Sequence, residues 1–254
     1  MPIRKEEFIT SEIYHITSRG VDGRQIFMDD EDRWRGIFSL YEFNNSIPVT
    51  IRRQREKRNK FKIMLKSRRF PTPAELSKQI DDRKLLVEIL AFVFMPNHIH
   101  LLLRQLEPDG ISFFMQKIGS GYTNFFNSKY ERKGHLFQGS FNAKTINDNE
   151  YLKTVFVYIH TNPISLIDPN WKDKGIKNPD GAIKFLEEYR WSSYLDYLEK
   201  KNFPSVTERD FGLKIFAGVD CDYSYKGSAA MKQFTESWVA LKHQIIGQGP
   251  SLNR

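Results

Sequence analysis

The sequence predicts an α+β fold: a ferredoxin-like antiparallel sheet with helices on one face, one added helix, and a C-terminal helical extension. Three observations predict it. The apolar patterns run strand, helix, two strands, helix, strand, helix, the order of a split β-α-β unit followed by an extra helix. The two central strands flank a Pro-Asn turn, which marks a hairpin and therefore an antiparallel pair. With 254 residues, 40% of them hydrophobic, and 20 Phe and 11 Tyr, the chain has enough apolar mass for a packed core.

The elements follow in order. Glu12–Thr17 (EIYHIT) alternates and is rich in β formers, so it reads as a strand that Ser18-Arg19-Gly20 breaks. Asp29–Phe43 carries Trp34, Ile37, Phe38 and Tyr41 near helical spacing, with acids at the start that suit a helix N-terminus. Leu85–Phe94 (LLVEILAFVF) is a strand-like run, punctuated by Met95-Pro96-Asn97, and His98–Arg104 (HIHLLLR) returns as its hairpin partner. A helical pattern extends from Ile111 to about Tyr130 and ends at Lys133-Gly134, and Leu136–Ile146 contains another strand. Asp148 caps a helix over Glu150–His160, which stops at Asn162-Pro163. Beyond Asn178 the tail is mixed, with helices expected near Ala182–Glu188 and Ser192–Lys200.

Charge marks a further feature. The chain carries a net +8, yet Arg52 to Arg69 holds ten Lys or Arg against the single acid Glu56, a net of +9 that leaves the remainder slightly acidic. This insertion, at about 51–83, is longer than ordinary connections, and its arginines and lysines (Arg52, Arg53, Arg55, Lys57 and Arg58 among them) suit the gripping of phosphates or a solvated surface equally. The lone Cys221 permits neither an internal disulfide nor a cysteine-based zinc cluster and points to a reducing, cytoplasmic location. The N-terminus lacks a signal-peptide pattern, and no stretch is apolar enough to span a membrane.

Two constellations bear on chemistry. His98 and His100 lie two apart on a strand, so alternation puts both imidazoles on one face while Ile99, Leu101 and Leu103 face the other way. Such a pair is a natural chelate, although a bare His-x-His also occurs on ordinary half-exposed strands. Tyr158 and Asn162 lie one helical turn apart. A tyrosine oxygen can form a covalent intermediate when a cation assists it, and an amide carbonyl suits Mg²⁺ or Mn²⁺. Equally, Tyr158 can pack at a helix end and Asn162 can serve as a C-cap before Pro163. Tyr151, two turns earlier, is a reserve nucleophile. His15 reads as a structural strand residue and His160 as a packed helix-end residue.

Taken together, five ordered blocks carry a resemblance. Met95-Pro96-Asn97-His98-Ile99-His100-Leu101-Leu102 resembles the His-hydrophobic-His (HUH) motif of single-tyrosine transposases of the IS200-like family. Tyr14–Gly20, Gly134–Phe141, the stretch from Tyr151 through Tyr158-Ile159-His160-Thr161-Asn162-Pro163, and Trp191-Ser192-Ser193-Tyr194 are similar to its other blocks and stand in the same order. The branch most resembled is that of the REP-associated tyrosine transposases. The resemblance implies a metal-dependent enzyme that cleaves single-stranded or hairpin DNA and transfers strands. Tyr158 would be the nucleophile, leaving a 5′-phosphotyrosine and a free 3′-OH. His98, His100 and Asn162 would hold Mg²⁺ or Mn²⁺, and Arg19, His135 and Gln138 would contact DNA beside the basic arginines, with a turn or core role equally open for His135 and Gln138. Ser140 stands where relatives often carry Arg. Residues 1–177 would form the catalytic domain and 178–254 an extension, in a monomer or a homodimer. The competing readings are a domesticated protein that binds hairpin DNA or RNA without cutting, and a zinc hydrolase, which lacks an obvious third ligand at motif spacing.

Overall fold

The computed structural model describes residues 7–47, 83–217 and 223–244. The expected basic insertion, with Arg52, Arg53, Arg55, Lys57 and Arg58, and Cys221 lie outside them. Four strands form one antiparallel sheet: β1 (Ile13–Arg19), β2 (Val87–Met95), β3 (His98–Gln105) and β4 (Asn142–Ile146), in the spatial order β2-β3-β1-β4. This is the ferredoxin-like order expected, because the hairpin β2–β3 lies beside β1 and the chain returns to pair β4 with the other side of β1.

Two layers of helices cover the sheet. On one face, α1 (Asp30–Glu42) and α2 (Gly110–Lys129) bury Ile37, Leu40, Phe114 and Ile118 against Ile16, Phe92, Phe94, Ile99 and Leu101. A reciprocal capping box between Asp29 and Asp32 starts α1, and Lys129 and Tyr130 at the end of α2 reach the same carboxylates, so the two helices are tied end to end. On the other face lies α3 (Asn149–Thr161), whose Leu152, Val155, Phe156 and Ile159 meet Leu90, Val93 and Leu102 of the sheet. Asp148 caps α3 by accepting from the Tyr151 N–H at 2.7 Å, as its sequence position suggests.

The tail extends this second layer. It comprises α4 (Trp171–Lys174), α5 (Pro179–Glu188), α6 (Tyr194–Tyr197), α7 (Arg209–Ala217) and α8 (Tyr223–Gln244), and it joins the α3 core through Leu186, Tyr194, Tyr197, Leu213, Met231 and Val239. Ahead of α6, Trp191–Ser193 closes the free edge of β2: the Phe94 N–H donates to the Trp191 carbonyl at 2.9 Å, and the Ser193 N–H to the Phe92 carbonyl at 3.1 Å. Among the described residues, no helix is long and apolar enough to cross a membrane.

Candidate active site

Strand pairing gathers the histidines. β1 and β3 are in register with Thr17 opposite His100 and Arg19 opposite His98. Because side chains alternate, His15, Thr17, Arg19, His98 and His100 all share the face that α3 covers. The turn that leads into His98 is held firmly, since the Pro96 carbonyl accepts from the Ile26 N–H at 2.7 Å and the Asn97 carbonyl from the Gly20 N–H at 2.8 Å.

The hydrogen bonds then orient each ring. His100 Nδ1 lies 2.9 Å from His15 Nε2 and 3.2 Å from Thr17 Oγ1. His98 Nδ1 lies 2.6 Å from Asn97 Oδ1. The Nε2 of His100 is buried and has no hydrogen-bond partner among the described residues. A buried imidazole nitrogen without a partner is costly unless something docks on it, and with Nδ1 already engaged it presents its lone pair as a ligand would. The two rings of the His98–His100 pair have centroids 4.9 Å apart, and the His15 ring stacks on His100 at 5.1 Å.

Burial pushes these imidazoles down, His15 to about 4 and His98 to about 3, and His100 well below its ordinary value. After burial, the causes are positive neighbours: Lys144 and Lys172 on His15, Arg19 and Lys172 on His98, and the other two histidines with Lys172 and Arg19 on His100. Among the described residues, no acid forms an ion pair with Arg19, Lys144 or Lys172. The site therefore consists of neutral imidazoles rimmed by unneutralised cations, a field that favours an anion.

Tyr158 faces this cluster from α3. Its ring is edge-on to His100 at 5.8 Å and to His15 at 6.1 Å between centroids. The side chain is only 6% exposed, so the phenol sits in the seam between helix and sheet. One turn on, Asn162 is buried, and its Nδ2 donates to the Tyr158 carbonyl at 2.8 Å. The amide thus closes onto a carbonyl of the last helical turn, the local cap its position allowed. Its Oδ1 remains available and accepts from Lys172 Nζ at 3.3 Å, while the same Nζ is 3.0 Å from the Tyr158 hydroxyl. Tyr151 instead packs at the start of α3, where burial pushes its phenol up.

The remaining expected residues fall nearby or elsewhere. Gln138 is exposed, and its N–H donates to the Arg19 carbonyl at 2.8 Å, which docks the 134–141 block beside the His98 end of the sheet. His135 is also exposed, and its carbonyl accepts from Arg132 at 3.0 Å. His160 is fully buried against Ser193 Oγ at 2.7 Å, a packed helix-end residue as expected.

Two participants were not evident from the sequence. His15, expected as structural only, orients His100. Its alternation with Thr17 was visible and the ferredoxin-like order implied that β1 pairs with β3, but the register that sets His15 beside His100 was not. Lys172 gave no local signal, because it reaches back to α3 from a polar stretch ten residues beyond Asn162. Its placement comes from Trp171, which is 1% exposed and edge-on to Trp238 of α8 at 5.4 Å. Gly175 ends α4 with φ 74° and ψ 165°, a conformation close to glycine-only, and a Cβ there would lie 2.5 Å from the Lys242 carbonyl.

A cation fits part of this arrangement. The orphaned His100 Nε2, His98 beside it and the Asn162 amide oxygen are a mixed nitrogen and oxygen donor set suited to a divalent first-row ion or Mg²⁺. Among the described residues, no group of three or more His, Cys, Asp or Glu is placed to hold a metal ion, so the candidate set depends on the Asn162 amide oxygen as its third donor.

Comparison with known proteins agrees with the motifs. Residues 54–162 match the family model described as transposase IS200 like, a segment that contains His98, His100, Tyr158 and Asn162. The resemblance read from the five blocks is thereby borne out over that segment. Among solved structures, a match is found to a REP-associated tyrosine transposase bound to a REP hairpin, with 15% identity and a TM-score of 0.45, covering 88% of this chain and 97% of that one. No curated protein matches the chain.

Proposed function

We propose that this chain is a metal-dependent single-tyrosine transposase that cleaves single-stranded, hairpin-bearing DNA and rejoins its ends. The observation that carries this reading is the juxtaposition of the orphaned, buried His100 Nε2 with His98 and with Tyr158, whose ring stands 5.8 Å from His100. His98, His100 and Asn162 would hold Mg²⁺ or Mn²⁺. The ion, when bound, supplies Lewis-acid polarisation of a phosphate oxygen and a template for the scissile group.

The chain's own residues do the rest. Arg19 and Lys144 rim the histidines and attract the phosphodiester. Tyr158 Oη attacks phosphorus, the P–O3′ bond breaks, and the electron pair leaves on O3′, which takes a proton. The products are a 5′-phosphotyrosine and a free 3′-OH. A second 3′-OH reverses the step, so strands join without a nucleotide cofactor. The seam between α3 and the sheet holds the phenol in place and keeps bulk water from competing for the phosphotyrosine. The exposed Gln138 and His135 stand where DNA flanking the cut would run. Arg52, Arg53, Arg55, Lys57 and Arg58 would add sequence-independent phosphate contacts.

Covalent capture tests the reading. Purified protein is mixed with labelled single-stranded hairpins from the flanks of its own gene and with Mn²⁺, then resolved on a denaturing gel beside Tyr158→Phe and His100→Ala. The expected result is a protease-sensitive labelled adduct that requires metal and is lost in both variants. An adduct that persists in Tyr158→Phe would overturn the nucleophile in favour of Tyr151. Tight hairpin binding with no adduct would replace the enzyme with a binding module.

A further inference from the structure

Lys172 occupies a position that a purely structural lysine rarely takes. Its ammonium lies 3.0 Å from the Tyr158 hydroxyl oxygen and 3.3 Å from Asn162 Oδ1, and 4.8 Å from the centre of the Tyr158 ring. Among the described residues it forms no ion pair, and the acceptors of its ammonium there are the Tyr158 hydroxyl and the Asn162 amide oxygen. A surface lysine gains little from such surroundings and is normally drawn to a carboxylate. Here the chain spends a buried tryptophan and a strained glycine to place it. Trp171 anchors the preceding position against Trp238, and Gly175 lets the following turn dock, with the Ile176 N–H donating to the Lys242 carbonyl at 3.2 Å.

We propose that Lys172 is a catalytic residue of the strand-transfer reaction: its ammonium holds the Tyr158 oxygen in place for attack and stabilises that oxygen when it leaves. The inference rests on Tyr158 being the nucleophile. In cleavage, the Oη–P bond forms as the P–O3′ bond breaks, and the phenol proton passes to water. In rejoining, a 3′-oxygen attacks phosphorus, the P–Oη bond breaks, and the electron pair returns to Oη, which is reprotonated from water. Negative charge builds on the same tyrosine oxygen in both directions. A fixed ammonium donating to that oxygen therefore lowers both barriers, in the way a preorganised donor does at an oxyanion.

The test measures both directions on the full chain with Mn²⁺: the single-turnover rate of adduct formation, and the rate at which the isolated adduct is resealed by an added 3′-OH strand. Lys172→Met is compared with Lys172→Arg and wild type, with hairpin affinity and melting temperature measured alongside. The expected result for Lys172→Met is a loss of about 100-fold in each rate, the size seen when one preorganised donor is removed. Hairpin affinity should stay within about threefold, and Lys172→Arg should recover part of both rates. Wild-type rates in Lys172→Met would overturn the proposal while leaving Tyr158 as nucleophile. So would a rate loss matched by an equal loss of hairpin affinity or of folded protein. A wild-type chain that forms no adduct, or an adduct independent of Tyr158, would overturn the underlying function and this role with it.

Discussion

Replacing His15 with phenylalanine should weaken metal binding although His15 is not a proposed ligand. For His100 Nε2 to offer a lone pair, the ring proton must sit on Nδ1, where His15 Nε2 at 2.9 Å and Thr17 Oγ1 at 3.2 Å are the acceptors within reach. Phenylalanine keeps a ring that can stack on His100 near the native 5.1 Å, so packing is largely preserved while the shorter hydrogen bond is lost. Partners that orient a ligating histidine contribute roughly 10- to 100-fold to metal affinity, or about 1.4 to 2.7 kcal/mol. Because Thr17 still accepts in the single variant, His15→Phe should fall at the tenfold end. The double variant His15→Phe/Thr17→Val strands a buried N–H and should reach the hundredfold end. Calorimetric titration with Mn²⁺ at pH 7.5 reads the affinity directly, with His98→Ala as the control for a lost ligand. A double variant that folds and melts like wild type yet binds Mn²⁺ equally well would refute the argument that strand β1 sets the His100 tautomer.

Two further outcomes concern stability. His15 has its folded-state pKa lowered to about 4 and His98 and His160 to about 3, against about 6.5 when unfolded. The unfolded chain therefore binds more protons below pH 6.5. The stability contribution is complete above that pH and is lost as pH falls toward 4 and then 3. At pH 5 each of these histidines should cost on the order of 2 kcal/mol, so the metal-free denaturation midpoint should drop clearly between pH 7.5 and 5.0, and an unchanged midpoint would contradict their burial as neutral rings. Gly36→Ala, although a better helix former, should lower the melting temperature. Its Cβ would lie 2.6 Å from Phe94 Cε2 and 3.0 Å from Phe27 Cε1, and overpacking of about 1–3 kcal/mol outweighs a helix gain of about 1 kcal/mol; a raised melting temperature would contradict this packing.

What could be read in the sequence follows from the range of the interactions. The strands around Pro96-Asn97, the cap at Asp148 and the stop at Asn162-Pro163 are local signals, and the elements they delimit agree with the structure to within a few residues. Alternation placed His98 and His100 on one face, and helical spacing placed Tyr158 and Asn162 a turn apart, because both periodicities are intrinsic to the backbone. The facing of these two pairs depends on which sheet face α3 covers, and no local pattern encodes that. The same holds for His15, whose role depends on the register of β1 against β3, and for Lys172, whose neighbours determine its position. The Trp191-Ser192-Ser193-Tyr194 block was legible as a motif but not as a device. Its backbone closes the β2 edge, and Ser193 joins that edge to His160 of α3.

The docking of α8 against the turn at Gly175 also fixes the order in which the site can be completed. A growing chain that has reached Asn162 already contains both histidines, the tyrosine and the amide. Lys172 takes its seat only against Trp238 and the Lys242 carbonyl, which are made some seventy residues later. During synthesis, Tyr158 is therefore made before the elements that seat Lys172 beside it. On the proposed reading, competence to cut DNA arrives with the folding of the C-terminal helix rather than with the residues of the motif.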